Sequence, residues 1–195
     1  NMALLRIVNI FGTDTVAAYT AATRIDTFAS MPAMNLSQAL STFVGQNLGA
    51  NKPERVKKGY KTSLFMASAI SLTTTLIVVL FGESIMRLFT ADLQVIHVGT
   101  RYLLIVGSFY IIFSSMFVTN GVLRGAGDTI IPMFVSLLSL WLIRVPVAAL
   151  LSSRLGSDGI WWSIPVGWSF GFLLALANYL SGRWKRKAVV GNPVD

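Results

Sequence analysis

The chain has 195 residues, 54% of them hydrophobic and 12% charged, where a soluble domain carries about 25% charged residues. With a mean hydropathy of +0.66, this excludes an ordinary soluble globule and a disordered chain. The absence of cysteine excludes a disulfide framework and a thiolate metal site. Sixteen Lys and Arg against eight Asp and Glu give a net charge of +8, which in so apolar a chain reads as a membrane topology signal rather than as nucleic-acid binding.

In residues 1–12, Met2, Leu4, Leu5, Ile7, Val8, Ile10 and Phe11 surround a single Arg6. This reads as the second half of a spanning helix, with neither the basic start nor the cleavage site of a signal peptide. A second helix is predicted from about residue 14 to 47, about 51 Å long at 1.5 Å per residue. It exceeds a bilayer core of roughly 30 Å, so it must tilt, kink at Pro32 or protrude. Its part at 27–51 is uncharged but polar, with Ser, Thr, Asn and Gln among Ala, Met and Leu. Uncharged windows follow at 62–81, 102–123 and 159–182, and a window at 129–153 contains only Arg144. Each meets the length of about 20 residues that a span needs. The prediction is an all-α integral membrane fold. Five complete spans and a truncated first one form a single lobe at 1–182, followed by a basic tail at 183–195.

The connections are short. Gly49 sits where the residue just past a helix end is expected, Asn51 can cap the next helix, and Pro53 suits its first turn. Arg124-Gly125-Ala126-Gly127-Asp128 repeats the pattern, with Asp128 as the cap, and Leu155-Gly156-Ser157-Asp158 does so again. Basic residues collect in cytoplasmic loops. Five lie in the turn at 52–61, one is Arg124 and four lie at 183–187, so ten of the sixteen fall on one side by parity. That side is expected to be cytoplasmic, with the C-terminus. Trp161 and Trp162 then mark the outer interface, and Tyr179 and Trp184 the inner one. The tail could also meet anionic lipid, but topology alone explains its charge.

Catalytic chemistry needs clustered acids, histidines or a nucleophile with its base. No two acids share a helix face, and the one histidine, His97, lies near a loop. An enzyme, a cofactor site and a metal site are therefore not expected. The residues that raise a functional question are the charges inside the spans, Arg6, Arg24, Asp26 and Arg144. By depth they fall in one outer-half layer. Arg24 and Asp26 are two apart, about 200° around a helix, and cannot pair. The reading is an interhelical ion pair of Asp26 with Arg6 or Arg144, with a role in coupling or substrate binding as the alternative.

Several motifs together are specific. Ala18-Tyr19, Arg24-Ile25-Asp26 and Met31-Pro32 lead to Gly45-Gln46-Asn47-Leu48-Gly49-Ala50 and Pro53-Glu54-Arg55. Leu123-Arg124-Gly125-Ala126-Gly127-Asp128-Thr129 and Trp141-Leu142-Ile143-Arg144-Val145-Pro146 come later. In this order and spacing the chain resembles the multidrug and toxic compound extrusion (MATE) family over essentially its whole length. The resemblance implies the second, C-terminal lobe of a twelve-helix transporter in the cell membrane, partnered by a first lobe. It implies efflux of cationic, amphipathic small molecules coupled to inward Na⁺ or H⁺, with lobes rocking around a central cavity. The cytoplasmic turn positions Gly45, Asn47, Gly49, Arg124, Gly125, Gly127 and Asp128 carry the motif. Family members can bind the coupling cation in this lobe through acids of its first and fourth helices. The fourth window, 102–123, has none, which points to a coupling acid in the first lobe. A flippase for lipid-linked saccharide, in the same broad superfamily, is the alternative.

Overall fold

The computed structural model describes residues 2–186 and is helical nearly throughout. Helices α1 (Met2–Asn9), α2 (Thr13–Gly49) and α3 (Pro53–Arg87) are followed by α4 (Leu93–Gly107) and α5 (Tyr110–Gly125). One further rod comprises α6 (Ile130–Leu137), a π-helical segment (Leu138–Ile143) and α7 (Arg144–Leu155). Helix α8 (Ser157–Leu180) and a short 3-10 turn (Arg183–Arg186) complete the described chain. Residues 187–195, the greater part of the predicted tail including Lys187, lie outside the described residues.

Among the described residues three rods are long and apolar enough to cross a membrane: Pro53–Arg87, Ile130–Leu155 and Ser157–Leu180. The α4–α5 pair, bent by 49°, makes a fourth if counted as one span. At 37 residues, or about 55 Å, α2 has the length but not the apolar composition. It runs unbroken through Pro32. The window predicted at 102–123 is a correction: its helix begins at Leu93 and breaks after Gly107. Thr75 on α3 donates to the Gly107 carbonyl at 2.7 Å, which satisfies backbone that the break exposes.

Buried side chains form two clusters, one toward each end of the bundle. One joins Leu40, Val44 and Leu48 to Val56, Tyr60, Val122, Ala126 and Trp184, and so gathers the α2–α3 turn, the α5–α6 turn and the start of the tail. The other joins Leu4, Val8 and Tyr19 to Met86, Ile96, Tyr102, Ala148 and Trp161. The basic turn at 52–61, Arg124 and Arg183 thus share one end, as parity predicts.

Two of the turns are built as Schellman motifs, whereas the third passes through Gly156 at φ 61 into α8, which starts at Ser157 without the side-chain cap expected of Asp158. At the first, Lys52 N–H donates to the Asn47 carbonyl at 2.8 Å and Asn51 N–H to that of Leu48 at 2.9 Å. Asn51 itself takes the left-handed backbone, at φ 54. This corrects two expectations: Gly49 is the last helical residue, and Asn51 ends α2 instead of capping α3, which starts with Pro53 and no side-chain cap. At the second turn Asp128 N–H donates to Leu123 and Gly127 N–H to Arg124, both at 3.0 Å, with Gly127 at φ 84. Asp128 does cap, accepting from Ile131 N–H at 3.3 Å. Asn47 is buried, and its amide donates to the Phe43 carbonyl at 2.8 Å.

Gly121 and the motif glycines Gly45 and Gly125 set helix packing. A Cβ at Gly121 would lie 2.6 Å from the Ser37 carbonyl oxygen, and one at Gly125 2.7 Å from Val44 Cβ. Gly45 faces Gly125. The close α2–α5 approach also lets Arg124 donate to Ser37 Oγ at 2.8 Å, while that hydroxyl donates to the Phe117 carbonyl at 2.5 Å.

A candidate substrate and ion pocket around Asp26

Helix α2 presents an exposed polar face that includes Thr20, Thr27, Asn35 and Gln38. Beside it, toward the end opposite the basic turns, lies a cavity of about 210 Å³. Thr23, Asp26, Thr27 and Ser30 of α2 line one wall; Tyr102, Tyr110, Arg144 and Trp168 close the others. A larger cleft of about 500 Å³ between α2 and α3 has Arg55 and Lys58 in its lining but no acid. Of these two, the smaller brings a carboxylate and a buried guanidinium together.

Both oxygens of Asp26 are engaged. Tyr102 donates its hydroxyl to one, and Tyr110 donates to the other at 2.5 Å. In an unbroken helix these tyrosines would be separated by about 12 Å and 80°. The bend between α4 and α5 turns both hydroxyls onto one carboxylate. Trp161 fixes the arrangement: it stacks on Tyr19 with centroids 5.6 Å apart and meets Tyr102 edge-on at 5.0 Å. Trp161 is fully buried and belongs to this core, not to the predicted outer aromatic belt. Trp162 is partly exposed. Trp184 is likewise buried, stacked on Tyr179 at 5.6 Å.

The expected ion pair is not formed. Among the described residues no basic group lies within 4.0 Å of Asp26; the pairs present are Lys57–Glu54, Arg87–Glu83 and Arg101–Asp158. Arg6 and Arg24 are both exposed, and only Arg144 reaches the pocket. Equal depth placed four charges in one layer, but direction around each helix decides which of them meet. Arg144 follows directly on the π-helical segment, whose wider turn sets its aim. Sequence reasoning missed Tyr102 and Tyr110, because single tyrosines inside apolar windows read as lipid-facing or core. Their spacing across Gly107 and Ser108 was the available signal.

Among the described residues no three His, Asp or Glu side chains converge. A carboxylate offers about four lone-pair sites, so Asp26 keeps accepting capacity toward the cavity after both phenols have bound. The arrangement is suited to holding a cation transiently at bilayer depth.

The MatE family profile matches residues 1–150. The chain is 31% identical over 184 residues to "Probable multidrug resistance protein YpnP" of Bacillus subtilis, covering 94% of this chain and 41% of that protein. It is 31% identical over 186 residues to "Probable multidrug resistance protein NorM" of Thermotoga maritima, covering 94% and 40%. Its fold agrees with solved inward-facing and outward-facing conformations of a multidrug resistance MATE family transporter, at TM-scores of 0.82 and 0.83 and 21% identity. These alignments cover 96% of this chain and 43% and 42% of theirs. The chain thus spans about two fifths of the length of the curated relatives it matches.

Proposed function

The chain belongs to the multidrug and toxic compound extrusion (MATE) family, and from this premise we propose that it forms the C-terminal lobe of a secondary active exporter. In this reading a first lobe packs across the exposed polar face of α2, and the two enclose a central path for cationic, amphipathic compounds. Transport is driven by inward Na⁺ or H⁺ in the cell membrane, with the basic turns and the C-terminus on the cytoplasmic side. The observation that carries the reading is the Asp26 pocket: a carboxylate of α2, held by two phenols, beside the polar face of that helix.

One carboxylate that receives either the coupling cation or the amine of the substrate is the simplest antiport device. Occupation by one excludes the other, and rocking of the lobes exposes the site to each side in turn. This assigns to Asp26 the role that sequence reasoning gave to the first lobe. It needs no acid in α4 or α5, because their tyrosines come to the acid of α2.

The flippase alternative requires a cationic cradle for pyrophosphate. Of the three arginines that favoured it, Arg6 and Arg24 are exposed and do not line the pocket. Proteoliposomes holding the full-length protein separate the two readings. A fluorescent amphipathic cation should move when a Na⁺ or pH gradient is imposed and stay without one. Movement of a lipid-linked saccharide without movement of the cation would replace the exporter by the flippase.

A further inference from the structure

The cleft of about 500 Å³ between α2 and α3 has no part in the proposed export path. It lies at the end of the bundle that carries the basic turns, and its chemistry changes along its length. Arg55 and Lys58, one turn apart on α3 and both exposed, stand at the end nearest the α2–α3 turn. Leu36, Leu40 and Phe43 of α2 form an apolar wall. The opposite wall, from Arg55 to Ser63, is about 12 Å long, and Met66 and Ile70, exposed on the same face of α3, continue it in apolar form. A Cβ at Gly59 would lie 2.5 Å from the Phe43 ring, so the missing side chain there seats that ring in the wall. Among the described residues neither Arg55 nor Lys58 takes part in an ion pair; Glu54 binds Lys57 instead, at 2.7 Å. The turn at 52–61 holds five basic residues against that one acid.

We propose that this cleft binds an anionic phospholipid of the cytoplasmic leaflet, with the headgroup on Arg55 and Lys58 and one acyl chain along Leu36, Leu40 and Phe43. It needs the basic turns to lie at the inner membrane surface, as in the proposed topology, and does not need the protein to export. Cations at the surface end and hydrocarbon below repeat the order of chemistry along a lipid molecule. The cytoplasmic leaflet is the anionic one, and each Lys or Arg at its surface adds to the attraction. A guanidinium also meets a phosphate through two parallel N–H···O bonds. A soluble anion would engage the cations and leave the apolar wall bare, and an uncharged lipid would do the reverse. On α2 the cleft residues lie about a third of a turn from Asn35 and Gln38, so a first lobe packed on that polar face leaves the cleft open to lipid.

The test measures binding of fluorescent phosphatidylglycerol and phosphatidylcholine, with identical acyl chains, to the purified full-length protein in detergent. Wild type should favour phosphatidylglycerol by at least about tenfold, the weight of two cations at an anionic headgroup. Arg55→Gln with Lys58→Gln should bring that ratio toward one, while Lys61→Gln, in the same turn but outside the cleft, should leave it unchanged. Ala39→Trp puts an indole into the cleft from an exposed position and should weaken both lipids about tenfold, the loss of about two buried methylenes. Soluble glycerol phosphate should not displace the lipid. A wild-type ratio near one overturns the proposal whether or not the variants fold, and is the result expected if the first lobe fills the cleft. A ratio that survives the double substitution, or falls as far in Lys61→Gln, overturns it in favour of general surface charge. Unchanged binding by Ala39→Trp, or displacement by glycerol phosphate, overturns the acyl-chain site. None of these readings depends on an ion gradient, so failure of export leaves the result standing.

Discussion

Removing one hydroxyl from the Asp26 cluster has an effect that the geometry fixes closely. In Tyr102→Phe the ring keeps its place between Tyr19 and Trp161, so no cavity opens and the packing cost is small. What is lost is one hydrogen bond to a carboxylate, worth about 1.5–3 kcal/mol. Tyr102 is 1% exposed, but Asp26 opens onto the cavity, from which water replaces part of the lost bond, so the lower half of that range is expected. In an Asp26→Asn background the same substitution removes only a neutral hydrogen bond, and its cost should fall to about 0.5–1.5 kcal/mol. The assay is chemical denaturation of the full-length protein in detergent, as a double-mutant cycle over the four proteins. A Tyr102→Phe protein within about 0.5 kcal/mol of wild type, below what any such bond contributes, would refute the assigned bond. An unchanged cost in the Asp26→Asn background would refute its partner.

Gly121→Val should separate α2 from α5, since even a Cβ would press on the Ser37 carbonyl; a loss of about 1–3 kcal/mol in the same denaturation assay is expected. Gly127→Ala, at φ 84, should cost about 1–2 kcal/mol and lower the thermal midpoint, while export by the protein that remains folded continues. Cysteines introduced at Lys57 and Lys185 in the full-length protein should resist an impermeant thiol reagent in intact cells, and cysteines at Asp92 and Ser157 should react; the opposite pattern would invert the topology.

The spans and turns were legible because they depend on local physics. Apolar windows of bilayer length, Gly and Asp at helix ends and Pro53 at a helix start act within a few residues. Even there, the stretch Gly49-Ala50-Asn51 offered two residues able to take the left-handed backbone, and the structure uses Asn51. The break within α4–α5 was hidden because Gly107 and Ser108 lie in an uncharged run. The pocket was legible only in part. Asp26 and Arg144 stood out as charges in apolar surroundings, but Tyr102 and Tyr110 are 76 and 84 residues from Asp26 in sequence. Nothing local connects a phenol in one helix with an acid in another. Depth alone grouped Arg6 and Arg24 with Asp26, and the direction of each side chain separates them.

The central claim is that Asp26 exchanges a coupling cation for a cationic substrate. The most direct measurement is gradient-driven export of an amphipathic cation by equal amounts of folded full-length wild type and Asp26→Asn in proteoliposomes. Imposed Na⁺ and pH gradients are tested separately. Wild type should export under at least one gradient, and Asp26→Asn should lose that response. Export by Asp26→Asn at the wild-type rate under the same gradient would contradict the account and return the coupling acid to the first lobe.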